Sequence, residues 1–112
     1  MDRLKTELRV QVWLRRCAGQ GLMATVAHKG DADAGVLFVK VNRFAAGSMV
    51  FSSVPTEDAS DAWLRATGPA AVPEKEADLH IARQIKYDPD MWVLEIEDPK
   101  SQFQLDGKIL DI

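Results

Sequence analysis

Two short apolar-rich runs, Leu22 to Lys29 and Val36 to Arg43, have the length of β-strands, the second being the most apolar segment of the chain. Between them lies Gly30-Asp31-Ala32-Asp33-Ala34-Gly35, an acidic segment closed at both ends by glycine. The pattern predicts two strands joined by a turn, with the glycines supplying any positive φ the turn needs. In the first strand Met23, Thr25 and Ala27 face one way, and Leu22, Ala24, Val26 and His28 the other. In the second, Leu37, Val39 and Val41 oppose Val36, Phe38, Lys40 and Asn42. Its apolar content marks it as a central strand, buried fully on one face and partly on the other. Phe44-Ala45-Ala46-Gly47 makes another tight turn and Ser48 to Val54 a third strand, which completes an antiparallel meander.

Helical periods flank this block. Val10, Trp13, Leu14, Cys17 and Ala18 fall at spacings of three and four, predicting a helix over about 7–19 with Thr6 as N-cap and Gly19 and Gly21 as stops. A strand period through Leu8, Val10, Val12 and Leu14 competes with it, and the length of the run favours the helix. Pro73 to Tyr87 is the clearer helix. Pro73 suits its first position, Glu74, Glu76 and Asp78 load its first turns, Arg83 and Lys86 its last, and Ala77, Ile81 and Ile85 form its inward stripe. Met91 to Asp98 alternates as a strand whose Glu95 and Glu97 should face water. Residues 55–72 are irregular. A short helix through Asp61 to Arg65, capped by Thr56 or Asp58, competes there with a strand around Trp63 to Thr67. Gln102 to Leu105 reads as a short edge strand and Asp106 to Ile112 as a loosely held tail.

These elements describe a single α+β domain over 1–112. The expected architecture has two layers: a mostly antiparallel sheet of four to five strands with two main helices on one face. Composition changes little: 46% hydrophobic and 28% charged residues suit a globular chain. A net charge of −3 argues against nucleic-acid binding by phosphate neutralisation. The single Cys17 allows no internal disulfide, and no apolar run reaches membrane-span length, so a cytoplasmic setting without membrane attachment is expected.

Candidate chemistry gathers on the first two strands. His28 beside Asp31 and Asp33 could hold a divalent metal or act as an acid–base pair. The simpler reading has the aspartates capping turn amides. Arg15, Arg16, Lys29, Lys40 and Arg43 could form an anion site, but the glycines here feed a strand rather than a helix N-terminus. Cys17 follows two arginines, yet it lies on the apolar stripe of its helix, where a thiol packs as a small hydrophobe. Glu95, Glu97, Asp98, Asp88 and Asp90 could receive a cation or a basic partner, or be solvated surface. His80 is expected on a solvent face, and Trp13, Trp63 and Trp92 in the core.

Several stretches resemble a small bacterial domain-of-unknown-function family of about this length: Leu14-Arg15-Arg16, Lys29-Gly30-Asp31 with Asp33-Ala34-Gly35, Val39 to Arg43, and above all Tyr87-Asp88-Pro89-Asp90-Met91-Trp92-Val93-Leu94-Glu95-Ile96-Glu97-Asp98. The resemblance covers nearly the whole chain. It implies a single domain with a helical N-terminus, and it brings no activity, cofactor or catalytic residue. The expected function is therefore a non-catalytic interaction or ligand-binding module with no cofactor, whose candidate partners are an unknown protein, a small ligand or a second copy of itself. Ligand-binding candidates are His28, Asp31, Asp33, Lys40 and Arg43. The alternative is a small enzyme or accessory subunit using His28 with Asp31 or Asp33 and a divalent metal.

Overall fold

In the computed structural model, residues 5–55 and 62–110 are described. The first helix, α1, runs Thr6–Gly19 and turns Val10, Trp13 and Cys17 inward. Its end is sealed by a Schellman arrangement: Leu22 N–H donates to Cys17 O at 2.8 Å and Gly21 N–H to Ala18 O at 3.1 Å. Gly21 takes φ +73°, the left-handed conformation this closure requires. No side chain caps the start of the helix. Instead Glu7 N–H donates to Ala32 O at 3.0 Å, and the Thr6 hydroxyl, buried rather than capping, donates to Gly35 O at 2.7 Å. Free amides of a first turn need partners. Here the loop after the first strand supplies one.

The strands are β1 (Met23–His28), β2 (Leu37–Asn42), β3 (Ser48–Val54), β4 (Ala62–Arg65), β5 (Trp92–Glu97) and β6 (Lys108–Leu110), with α2 (Glu74–Tyr87) between β4 and β5. The described residues form an α+β fold, with two α-helices and one mixed six-stranded sheet, rather than the four to five mostly antiparallel strands expected. The sheet order is β1-β5-β2-β3-β4-β6. β2, β3 and β4 follow one another antiparallel. β1 and β2 never pair. β5 lies between them, antiparallel to β1 and parallel to β2. β6 lies parallel to β4. The expected hairpin is thus split by a strand that arrives about fifty residues later, and the meander begins at β2.

The inserted strand explains the two glycines bracketing the acidic loop. Neither takes a positive φ. A Cβ on Gly30 would overlap the carbonyl oxygens of Asp90 and Met91, and one on Gly35 the Asp90 carbonyl and, at 2.9 Å, the Trp92 ring. The loop crosses the start of β5 at backbone contact. Asp31 N–H donates to Asp90 O at 2.8 Å and Trp92 N–H to Val36 O at 2.8 Å, while Trp92 Nε1 donates to Asp31 O at 2.7 Å.

All six residues of β2 are buried, because both faces of the sheet are covered. Leu37, Val39 and Val41 meet Trp92, Leu94 and Ile96 of β5, Met49 and Phe51 of β3, Trp63 and the α1 stripe. Phe38, Val50, Met91 and Val93 meet Ala77 and Ile81 of α2. The helices therefore lie on opposite faces, giving three layers rather than the two expected. The apolar seam under α2 is the thinner: six buried residues against thirteen on the α1 side. Part of its remaining footing is ionic. Residues 62–65 form the strand, not the helix, of the two alternatives; the proposed caps Thr56 and Asp58 lie outside the described residues. Gln102 to Leu105 is not a strand, although Phe103 is buried. Part of the supposed loose tail pairs instead, as β6.

A methyl group at Gly30 has nowhere to go but into backbone. Gly30→Ala is expected to lower unfolding free energy by about 1–3 kcal/mol in urea titration. Gly19→Ala, in open space at the end of α1, should cost nothing.

Candidate functional site

β2 alternates its side chains between the two helices, so Lys40 points toward α2 rather than water. Its side chain is 5% exposed. Glu74 and Asp78, one turn apart on α2, approach from above, and Glu95 lies in register on neighbouring β5. Lys40 Nζ donates to Glu74 Oε2 at 2.8 Å, Asp78 Oδ1 at 2.6 Å and Glu95 Oε1 at 2.6 Å. An ammonium has three protons, and each meets one carboxylate. Asn42 extends the group, donating from Nδ2 to Glu74 Oε2 at 2.9 Å and accepting Phe44 N–H at Oδ1, also at 2.9 Å. Burial alone would lower the Lys40 pKa. The hydrogen bonds to Asp78, Glu74 and Glu95 outweigh it, and the net direction is upward from 10.5. A permanently protonated lysine has no lone pair to act as base or nucleophile. What it can do is hold α2 onto the sheet.

Arg43, just past β2, turns elsewhere. Its Nε donates to Asp98 Oδ2 at 3.1 Å. Asp98 is fully buried and also accepts Gln102 N–H at 2.7 Å and Phe103 N–H at 3.0 Å. Burial pushes the Asp98 carboxyl up, and these two amides and Arg43 pull it further down, so its net pKa falls below the usual range. The pair pins the loop after β5.

The acidic loop does what the simpler reading expects. Asp31 Oδ2 accepts Ala34 N–H at 2.8 Å and Asp33 N–H at 3.2 Å, an Asx turn. Asp33 makes an exposed pair with Lys5 at 3.4 Å, of little energetic weight. His28 Nδ1 lies 2.8 Å from Met91 O. A carbonyl only accepts, so Nδ1 carries the proton. No described hydrogen bond joins His28 to Asp31 or Asp33. Among the described residues, no group of three or more His, Cys, Asp or Glu side chains is disposed to hold a metal ion.

Three of the five basic candidates are held in separate groups. Arg16 Nη1 pairs with Asp106 at 2.8 Å and its guanidinium stacks over Trp13 at 5.2 Å, while Lys40 and Arg43 are held as above. Cys17 is buried, and burial pushes its thiol up. His80 is half-buried, and burial followed by Arg83 pushes its pKa down. The three tryptophans are core residues, Trp13 meeting Trp63 edge-on at 6.0 Å. Sequence reasoning missed Glu74 and Asp78 as partners of Lys40, and Asn42 as a donor to Glu74. The signal was there: one cation inside an apolar strand, and carboxylates at i and i+4 on a helix. Glu95 was expected in water; only its neighbour Glu97 is exposed.

Two shallow cavities touch candidate residues. One of about 320 Å³ is lined by Thr6, Arg9, Asp33, Gly35 and Ser53, without His28 or Asp31. Another of about 350 Å³ is lined by Met23, Phe44, Glu97, Asp98 and Lys100. Phe44, at φ +56°, is held in this unusual conformation by the Asn42 side chain. The edges of the sheet are unequal. β6 is three residues long and carries Lys108. β1 has six residues, Met-Ala-Thr-Val-Ala-His, and among the described residues pairs only with β5. Met23 on it is 66% exposed and Val26 40%.

Two pH limbs follow. A raised lysine pKa stabilises fully below 10.5 and is lost as pH climbs above it. The stability of Lys40→Met should thus sit about 1–3 kcal/mol below wild type at neutral pH, with half-exposed carboxylates moderating the loss, and the gap should close at strongly alkaline pH. A depressed carboxylate stabilises above its usual 3.8 and is lost as pH falls through the lower folded value. Asp98→Asn should be less stable above about pH 4, with the gap narrowing in acid. Chemical denaturation across pH measures both.

No curated protein matches the chain. Solved structures do. A DUF1491 family protein from Caulobacter crescentus CB15, known by crystallography, is 32% identical with a TM-score of 0.81, over 98% of this chain and all of that one. An NMR structure of a DUF1491 family protein from the same organism is 33% identical with a TM-score of 0.80, over 99% of this chain and all of that one. The solution structure of Atu0922 from A. tumefaciens is 28% identical with a TM-score of 0.74, over 87% of each chain. The model of DUF1491, described as a protein of unknown function, matches residues 4–106, and with that span the chain belongs to the DUF1491 family.

Proposed function

We propose that this chain is a non-catalytic interaction module, folding as one domain and working in the cytoplasm. The observation that carries this reading is the commitment of its reactive side chains. Lys40 is saturated by three carboxylates, Arg43 holds Asp98, Asp31 closes a turn, and His28 leans on a backbone carbonyl. A catalytic base or nucleophile needs a free lone pair facing a substrate-sized recess, and none of these side chains combines the two. Among the described residues, the outer edge of β1 has no strand partner. No described helix is long and apolar enough to cross a membrane, and the single thiol is buried, which suits a reducing compartment.

The competing reading, an enzyme or accessory subunit built on His28 with Asp31 or Asp33 and a divalent metal, has no described hydrogen bond to support it. Titration with Zn²⁺, Mn²⁺ and Mg²⁺ up to about 1 mM separates the two. The interaction reading expects the melting temperature to stay put. A rise that disappears in both His28→Ala and Asp33→Ala would replace it with a metal site.

A further inference from the structure

Natural sheets protect their edges with short strands, charges or bulges. β6 follows that rule through its length and charge; β1 is twice as long, and residues 23–27 carry no charge in a chain where 28% of residues are charged. The irregularity of β1 falls at Ala27, between Val26 and His28, and leaves Met23 to Val26 regular. We propose that the outer edge of β1 pairs with β1 of a second copy of this chain; this rests on the interaction-module reading above.

The pairing is antiparallel about a two-fold axis, the closed arrangement for identical partners. Centred on Thr25, it sets Thr25 against its own copy, Ala24 against Val26 and, at the bulge that ends the regular stretch, Met23 against Ala27. Each match is self-complementary. Paired threonines suit a cross-strand site. A small Ala24 makes room for a branched Val26, extending the α1-side core, in which Ala24 already takes part, across the seam. Met23 gains cover from a small neighbour. A two-fold axis brings like residues together, so a charge near its centre would repel itself, and the strand carries none there. The nearest facing carboxylates are the two copies of Glu95, one strand inward of Thr25 on either side. Three strand spacings separate them, about 14 Å, beyond the screening length in physiological salt.

Five paired residues make a seam of roughly 17 Å. That is short of a standard interface, so the dimer is weak and concentration-dependent, with a dissociation constant on the order of tens of micromolar.

Sedimentation equilibrium of the full chain from about 5 µM to about 1 mM reads this directly. The expected result is a shift from monomer to dimer mass across the range. Thr25→Lys, an exposed change whose folding is checked by thermal melting, should weaken dimerisation about tenfold or more. Under mild oxidation Thr25→Cys should cross-link with itself, since native Cys17 is buried. Met23→Cys should cross-link only when mixed with Ala27→Cys. Monomer mass at every concentration overturns the proposal, as does a dimer that Thr25→Lys leaves intact or a Thr25→Cys chain that does not cross-link. A monomer would leave the non-catalytic reading standing, because that reading falls only to the metal titration.

Discussion

The insertion of β5 between β1 and β2 is the constraint on which the rest depends. A parallel strand beside β2 cannot be reached by a tight turn. The chain must leave β4, cross through α2 and return at the β1 side. That route places α2 on the face opposite α1 and buries both sides of β2. It also forces the loop between β1 and β2 to bridge a whole strand. The bridge is made at backbone contact, where Gly30 and Gly35 leave no side chain in the way of Asp90. The start of α1 then docks on the same loop through Thr6 and Glu7. Three remote segments meet in one clasp.

The charged residues follow the same logic. α2 has few apolar anchors, and Lys40 with Glu74, Asp78 and Glu95 fastens its first turns to β2 and β5 together. Such a group ranks low as a source of net stability, since desolvating charges cancels much of their attraction. Its geometry is demanding, however: slipping β5 against β2 by one residue would turn Glu95 away from Lys40 to the other face. The cluster therefore checks the register of the parallel pair. Arg43 and Asp98 do the same at the other end of these strands, where Asp98 gathers the loop that brings Phe103 into the core.

What was legible in the sequence was local. The stripes of α1 and α2, the strand periods of β2, β3 and β5, and the aspartate-capped turn depend on neighbours a few residues apart, and they appear where their spacing put them. The pairing of β5 with β1 and β2 depends on contacts some sixty residues apart, which no periodicity records. A hint existed in the near-continuous apolar runs of Val36–Val41 and Trp92–Ile96, the composition of strands covered on both faces. Taking His28, Asp31 and Asp33 as candidate chemistry was reasonable on residue type. Their roles are set by β5, whose carbonyls at Asp90 and Met91 take up the loop amide and the imidazole. The same invisible partner explains the glycines: they serve close approach, not positive φ. β6 escaped notice because three residues carry too little pattern.

The central claim is that the loop from Gly30 to Gly35 is a structural clasp on β5, not a mobile site rim. Native-state hydrogen exchange tests it most directly. The amides of Asp31 and Trp92, both bonded across the clasp, should exchange only by global unfolding, with protection equal to that of central β2. If Asp31 exchanges through a local opening far less costly than global unfolding while β2 and β5 stay protected, the loop is a flap over β5, and the account of the split hairpin fails.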